Sequence, residues 1–356
     1  MSLSESYPRI WRVLSPFLAD HSLPGGSIAV THKGSVVLGA AFGHFTYDPG
    51  SSSVQADTVY DVASLTKVLA TTPMAMLLYE RGKLRLDSGI AEVIPEFLTD
   101  DLRRQRVSFR MLLAHSSGLP AYARLFEEVD SREELLQRCF TMPLEAEPGA
   151  RAEYSDIGFI LLGETLERLA GESLDRFCHR EVLAPLRMQK SIFCPSEQHC
   201  TSFPPTENDV TFRKRVIQGE VNDENAWVMG GVAGHAGLFA PAGDVAKFAL
   251  CTLGGGEPLF RSETIELFTA RQDAPANSSR ALGWDTVSSP SQAGQYFSSR
   301  SYGHLGFTGT SLWIDPERDL SITLLTNRTW PDRSAQGIKQ LRPALHNAII
   351  ESLDLL

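Results

Sequence analysis

The chain has 356 residues, of which 42% are hydrophobic and 21% charged. Those are ordinary globular proportions, and they exclude wholesale disorder and fibrous repeats. Lys and Arg number 33 against 43 Asp and Glu, a formal charge of −10, which argues against capture of nucleic acid or of an anionic membrane surface. No apolar run approaches the ~18 residues that a membrane-spanning helix needs. The opening Met1-Ser2-Leu3-Ser4-Glu5-Ser6-Tyr7-Pro8 lacks the basic and apolar stretches of a secretory leader, so a cytoplasmic location is expected unless a leader was trimmed. A chain of this length buries a large core without staples, and its odd number of cysteines, five, does not read as a disulfide framework. Cys194, His199 and Cys200 form the one grouping that hints at a metal, but their spacing matches no common zinc pattern. No metal and no organic cofactor are expected.

In chain order, the first clear elements are Ser27-Ile28-Ala29-Val30-Thr31 and Ser35-Val36-Val37-Leu38-Gly39, β-rich runs separated by the turn His32-Lys33-Gly34. Helical periodicity follows over Val68 to Glu80, Arg132 to Cys139, Gly158 to Leu169 and Leu174 to Val182. Near the C-terminus, Thr310-Ser311-Leu312-Trp313-Ile314 and Leu320-Ser321-Ile322-Thr323-Leu324-Leu325 flank a turn over Asp315-Pro316-Glu317-Arg318-Asp319. Pro204-Pro205 and Gly254-Gly255-Gly256 read as loops. Strands at both ends with helices between predict an α+β fold: an antiparallel sheet built from the two chain ends and flanked by helices. On this reading residues 1–85 and 231–356 form the sheet domain and residues 86–230 a mostly helical inserted domain.

The chemistry begins with absences. There is no Gly-x-Ser-x-Gly elbow, no His-Glu-x-x-His pair and no phosphate-binding glycine loop. What stands out is Ala63-Ser64-Leu65-Thr66-Lys67, directly before an apolar helix. A serine three residues before a lysine places both on one helix face, with the serine at an N-terminus whose free N–H groups favour negative charge. Serine needs an adjacent base to act as a nucleophile, and Lys67 is within reach. Alone, the pair reads more readily as a helix cap followed by a solvated lysine.

Two further motifs follow in order. Glu153-Tyr154-Ser155-Asp156-Ile157-Gly158 precedes a long apolar helix, and Gly303-His304-Leu305-Gly306-Phe307-Thr308-Gly309 precedes a strong strand. Together with Leu112-Leu113-Ala114-His115-Ser116-Ser117-Gly118-Leu119-Pro120 and Gly237-Leu238-Phe239, they make the chain resemble the serine β-lactamase-related superfamily from about residue 10 to 350. That superfamily comprises class C β-lactamases, DD-peptidases and esterase-like relatives, with a branch acting on muropeptides. Ser64-Leu65-Thr66-Lys67 is similar to its first motif, Tyr154-Ser155-Asp156 to its Tyr-x-Asn second, and His304-Leu305-Gly306 to a Lys-Thr-Gly third that many members carry as His-x-Gly. The resemblance implies that a carbonyl substrate acylates Ser64, that Lys67 and Tyr154 share the proton, and that the N–H groups of Ser64 and Phe307 form an oxyanion hole. His304 would complete the catalytic set, with Asp156, Gly306, Phe307 and His235 touching substrate. The substrate would be a small-molecule amide or ester, peptidoglycan fragments included; a carboxylesterase of the same fold and an inactive, sensor-like binding module are the alternatives.

Two departures from the family pattern bear on this expectation. Asp156 replaces an Asn; a carboxylate near Lys67 favours the protonated lysine and leaves Tyr154 as the base. His304 replaces a permanent cation, so the positive charge that would meet a β-lactam carboxylate is absent or pH-dependent. Both point away from efficient β-lactam hydrolysis. His115 reads as a residue that holds a loop. His235, in a glycine-rich turn after Gly219-Glu220-Val221-Asn222-Asp223, reads either as a cleft wall or as part of a structural loop.

Overall fold

The computed structural model of the protein describes residues 3–195 and 201–355; His199 and Cys200, two members of the metal grouping considered above, lie outside them. Strands β1 (Gly25–His32) and β2 (Ser35–Gly43) form the first hairpin. Its turn residues Lys33 and Gly34 both adopt positive φ, 49° and 74°, the conformation that a tight two-residue hairpin turn requires. Short strands follow: β3 (Tyr60–Asp61), β4 (Ile192–Phe193), β5 (Glu207–Asp209), β6 (Arg215–Ile217) and β7 (Leu238–Ala240). Last come β8 (Asp285–Thr286), β9 (Tyr302–Leu305), β10 (Ser311–Asp315) and β11 (Leu320–Thr326).

The main sheet has the order β2-β1-β11-β10-β9-β8. As the sequence predicts, the two ends of the chain meet in it: β1 pairs antiparallel with β11, Gly26 opposite Thr326 and His32 opposite Leu320. Its outer part is less legible. Residues 302–305, where His304 lies, form a strand paired to β10, with His304 opposite Leu312, whereas the sequence reads strand only from Thr310 onward.

Alternation along the strands divides the core in two. On one face Ile28, Val30, Ile322 and Leu324 pack against Ile10 and Leu14 of the helix Pro8–Ala19 and Leu341, Leu345 and Ile349 of the helix Ile338–Ser352. On the other face Ala29, Leu312, Ile314 and Leu325 join a larger core that runs through Val245 and Ala249 of the helix Ala242–Leu253 and on into the central helices. The terminal helices contain Pro16 and Pro343, residues that interrupt helix signals in a sequence; burial of their apolar stripes against the sheet carries them. The helix Asp156–Ala170 is apolar nearly all round and sits at the centre of the larger core. Ser155 caps it by accepting from the Gly158 N–H at 2.9 Å, and Gly171, at φ 77°, ends it.

Candidate active site

β3 pairs with β7 and delivers the chain to Ser64 through Ala63, a non-glycine residue at φ +49°. The buried Asp61 carboxylate holds this bend by accepting from the Ala63 N–H at 2.8 Å and the Asn222 N–H at 2.7 Å. Burial nevertheless pushes its carboxyl up to about 6. Ser64 sits in a 3₁₀ turn, Ala63–Leu65, and Lys67 opens a wider π-helical turn, Lys67–Thr71, before the regular helix Thr72–Glu80. The regular α-helix expected over both residues is therefore replaced by a tight turn followed by a loose one, and the two side chains still meet, Lys67 Nζ to Ser64 Oγ at 3.0 Å.

Lys67 is wholly enclosed and uses all three of its N–H groups. They go to Ser64 Oγ, to Asp156 Oδ1 at 2.7 Å and to the His235 carbonyl at 3.0 Å. Burial works against its charge, but the Asp156 carboxylate and then Tyr154 outweigh it, so the lysine is held above its ordinary value and stays an ammonium. The Tyr154 hydroxyl lies 2.8 Å from Ser64 Oγ. Burial raises the Tyr154 pKa, and the neighbouring Lys67 charge offsets part of that rise.

The remaining motif residues fall around this centre. His304 is buried, and its ring centroid lies 5.8 Å from that of Tyr154. Nδ1–H donates to the Leu305 carbonyl at 2.8 Å, which leaves Nε2 a bare lone pair without a partner. Burial, then the Lys67 and Arg280 charges, hold its pKa well below the usual histidine value. Of the two expectations for residue 304, an absent charge and a pH-dependent one, this environment favours the absent charge, a neutral ring. Gly306 has no room for a side chain, since a Cβ there would collide with Thr310 Oγ1 and stand 2.6 Å from the Val62 carbonyl. Phe307 leaves 47% of its surface exposed at the rim.

His235 meets Lys67 through its backbone carbonyl, while its ring turns to Asp223, Nε2 to Oδ1 at 2.8 Å. Burial opposes the Asp223 charge, yet His235 and the Ala226 amide bring that carboxyl down to about 2. His115 accepts the Ser155 N–H on Nδ1 at 3.0 Å and lies against Tyr154, 4.6 Å between centroids. It thereby fixes the segment that carries Tyr154 and Asp156.

Ser64, Tyr154, Asp156, His235, His304, Gly306 and Phe307 line one cavity of about 580 Å³. The cavity also contains residues that sequence reasoning passed over: Tyr122, Arg280, Arg328, Lys339 and Arg342. Arg280 reaches over the Tyr154 ring, 5.4 Å from guanidinium carbon to centroid. None of these cations stands in a short motif: Lys339 and Arg342 reach the cleft from the C-terminal helix, Arg328 from the segment after β11 and Arg280 from the segment before β8. Among the described residues no cluster of three or more His, Cys, Asp and Glu is placed to hold a metal ion, and no helix is long and apolar enough to cross a membrane.

Comparison with known proteins fits this geometry. The chain is 32% identical over 345 residues to an N-acetylmuramyl-L-alanine amidase of Bacillus subtilis strain 168, covering 86% of this chain and 77% of that one. It is 30% identical over 351 residues to an Escherichia coli K12 protein named "Putative D-alanyl-D-alanine carboxypeptidase", covering 87% and 79%. Among solved structures, EstCE1, described as a hydrolase with promiscuous acyltransferase activity, superposes with a TM-score of 0.77 at 20% identity, over 95% of this chain and 98% of that one; it shares the fold. A model of the Beta-lactamase family matches residues 11–345. Nearly the whole chain being accounted for in this way, the protein belongs to the Beta-lactamase family and is a hydrolase of the serine β-lactamase superfamily.

Proposed function

We propose that the protein cleaves an amide or ester through an acyl-enzyme on Ser64, with peptidoglycan fragments as the substrate class suggested by its amidase and carboxypeptidase relatives. The observation that carries this reading is the position of Ser64 Oγ, 3.0 Å from Lys67 Nζ and 2.8 Å from the Tyr154 hydroxyl at the wall of the cleft. If residues 86–230 are taken as an inserted unit, Ser64 and His304 belong to the sheet unit and Tyr154 and Asp156 to the insert, and the cleft is their seam.

The chemistry divides as follows. Ser64 Oγ attacks the substrate carbonyl carbon and its proton passes to the Tyr154 oxygen. Lys67, kept charged by Asp156, has no lone pair to accept that proton; its field instead favours the phenolate of Tyr154. The N–H groups of Ser64 and Phe307 receive the developing oxyanion, and losing one such donor typically costs about 10²–10³ in rate. Collapse breaks the carbon–nitrogen or carbon–oxygen bond, and the leaving group takes the proton from Tyr154. A water molecule then repeats the sequence on the acyl-enzyme, releasing the carboxylic acid and restoring Ser64. Because burial keeps Tyr154 protonated at neutral pH, turnover of the wild type rises toward alkaline pH.

The test is covalent labelling with a fluorophosphonate, read as an increase in intact mass. Wild type is expected to label and Ser64→Ala to remain unmodified while folded, since the Ser64 hydroxyl makes side-chain hydrogen bonds to Lys67 and Tyr154 only, each worth about 1 kcal/mol net. Labelling of Ser64→Ala at the same rate and site as wild type overturns the assignment.

A further inference from the structure

Side chains from four other segments surround the Tyr154 ring. Lys67 Nζ lies 4.9 Å from its centroid and the Arg280 guanidinium carbon 5.4 Å. His115 packs against it at 4.6 Å between centroids and His304 at 5.8 Å. Both imidazoles are held neutral, chiefly by burial, with the Arg280 charge adding to the effect at each. Asp223 and His235 are paired with each other, and His235 meets Lys67 through its backbone carbonyl. The charges left to act on the Tyr154 hydroxyl are therefore Lys67, Asp156 and Arg280.

They do not count equally. Lys67 and Asp156 form an ion pair of 2.7 Å, so the pull of one on a phenolate is offset by the repulsion of the other. Arg280 is not compensated to that degree. Among the described residues Asp285 is the one carboxylate within salt-bridge range, and it stays 3.8 Å away. Its Oδ1 already accepts from Ser279 Oγ at 2.7 Å and from the Thr286 N–H at 3.1 Å. No hydrogen bond from the guanidinium to another described residue accompanies this contact. The Arg280 backbone, in contrast, is firmly placed: its N–H donates to Ser278 Oγ at 3.0 Å and its carbonyl accepts from the Gln272 N–H at 2.8 Å. Arg104 shows what a purely structural arginine does here, donating to the carbonyls of Phe97, Phe140 and Met142 away from the described cavities. Arg280 makes no such bonds; it faces the cavity that holds Ser64 and lies over the Tyr154 ring.

A cation over an aromatic face is drawn more strongly to a phenolate than to a phenol, because ionisation puts negative charge into the ring as well as on the oxygen. We propose that Arg280 is a positioning residue that acts on the reaction through Tyr154: its guanidinium, laid over the ring, favours the phenolate and so poises the base that serves Ser64. The proposal rests on the reading of Tyr154 as the proton acceptor and adds to it a residue outside the three motifs, in a site whose third motif carries the neutral His304. Arg280 itself neither gains nor loses a proton; the Ser64 proton still goes to the Tyr154 oxygen. With an effective dielectric of about 20 and a cation 21% exposed, the effect on Tyr154 is about half a pH unit to one unit.

The ionisation of Tyr154 is read directly by NMR of the full chain with isotope-labelled tyrosine Cζ, the signal being identified by its absence from Tyr154→Phe. Arg280→Gln is expected to raise the midpoint by about half a unit to one unit, and Arg280→Lys, which keeps a charge at that place, to raise it by less. Fluorophosphonate labelling at pH 7.5 ties the shift to Ser64: the rate is expected to fall by about threefold to tenfold in Arg280→Gln and to recover in Arg280→Lys. A midpoint unchanged in Arg280→Gln, or shifted equally in both variants, overturns the proposal. If the midpoint lies above the range in which the protein stays folded, the labelling rates decide, and equal rates or an equal loss in both variants overturn it. Should Arg280→Gln not fold, Arg280→Met, which keeps an apolar contact with the ring, takes its place. Labelling of Tyr154→Phe at the wild-type rate overturns the reading of Tyr154 as the base, and any part for Arg280 with it, whereas an unshifted midpoint beside an unreactive Tyr154→Phe overturns Arg280 alone.

Discussion

Replacing Asp156 by Asn tests the electrostatic core of the site most directly. The ion pair with Lys67 spans 2.7 Å, with the ammonium fully enclosed and the carboxylate 19% exposed. At an effective dielectric of ~20 the attraction is about 6 kcal/mol. Solvent reaching the carboxylate, and the hydrogen-bond acceptor that Asn retains, discount this to about 3 kcal/mol, or about two pKa units. Two consequences follow from one number. Lys67 loses the charge that outweighs its burial, so its pKa falls and it becomes a free amine at lower pH. The rising limb of kcat/KM against pH is then expected to move toward neutrality, as lysine joins tyrosine as a base. Stability is expected to fall by about 3 kcal/mol at pH 7, which for a chain of 356 residues lowers Tm by about 4 °C. The sign with pH is fixed as well. A lysine held above its ordinary value stabilises the fold below about 10.5, and this contribution is lost as pH rises through the folded pKa. A pH–rate profile of wild type and Asp156→Asn with one neutral ester, beside calorimetric melting, is the assay. A rising limb that stays in place while the Asp156→Asn protein melts normally would refute the claim that Asp156 holds Lys67 charged.

Acid sensitivity is a second expectation. His115, His304 and His346 are buried neutral rings with depressed pKa values, that of His346 at about 4, so stability holds above about 6.5 and falls below it as the unfolded chain takes up protons the native state refuses. At pH 4.5 His346 alone accounts for roughly 2–3 kcal/mol; equal denaturant midpoints at pH 7.5 and 4.5 would refute it. The third concerns Gly306. An alanine there collides with Thr310 Oγ1 and meets the Val62 carbonyl at 2.6 Å, so Gly306→Ala is expected to lose at least about 1–3 kcal/mol of stability and to lower kcat. An unchanged Tm together with unchanged turnover would show that the strand and the serine segment do not approach so closely.

The meeting of β1 with β11 was legible because both hairpins carry dense β-branched runs and turn residues, and because one sheet is the simplest way for two such ends to bury themselves. Ser64, Lys67 and Tyr154 were legible as ordered motifs. The local geometry that joins them was not. The positive φ at Ala63 and the passage from a 3₁₀ to a π turn depend on Asp61 accepting two amides and on Lys67 finding three acceptors, contacts that come from segments as distant as Asn222 and His235. The same holds for the helices with Pro16 and Pro343, where tertiary burial overrides a local signal against helix.

Charge is where the sequence and the folded molecule part most clearly. Read along the chain, the third motif lacks its lysine, and a substrate carboxylate has nothing to meet. In the fold, His304 is indeed neutral, but Arg280 stands over Tyr154, and Arg328 and Arg342 hold the carbonyls that follow His304 in the same cavity. Positive charge has not left the cleft; it has moved from the first residue of a motif to side chains that only tertiary structure brings near. The case against β-lactams therefore cannot rest on a missing cation.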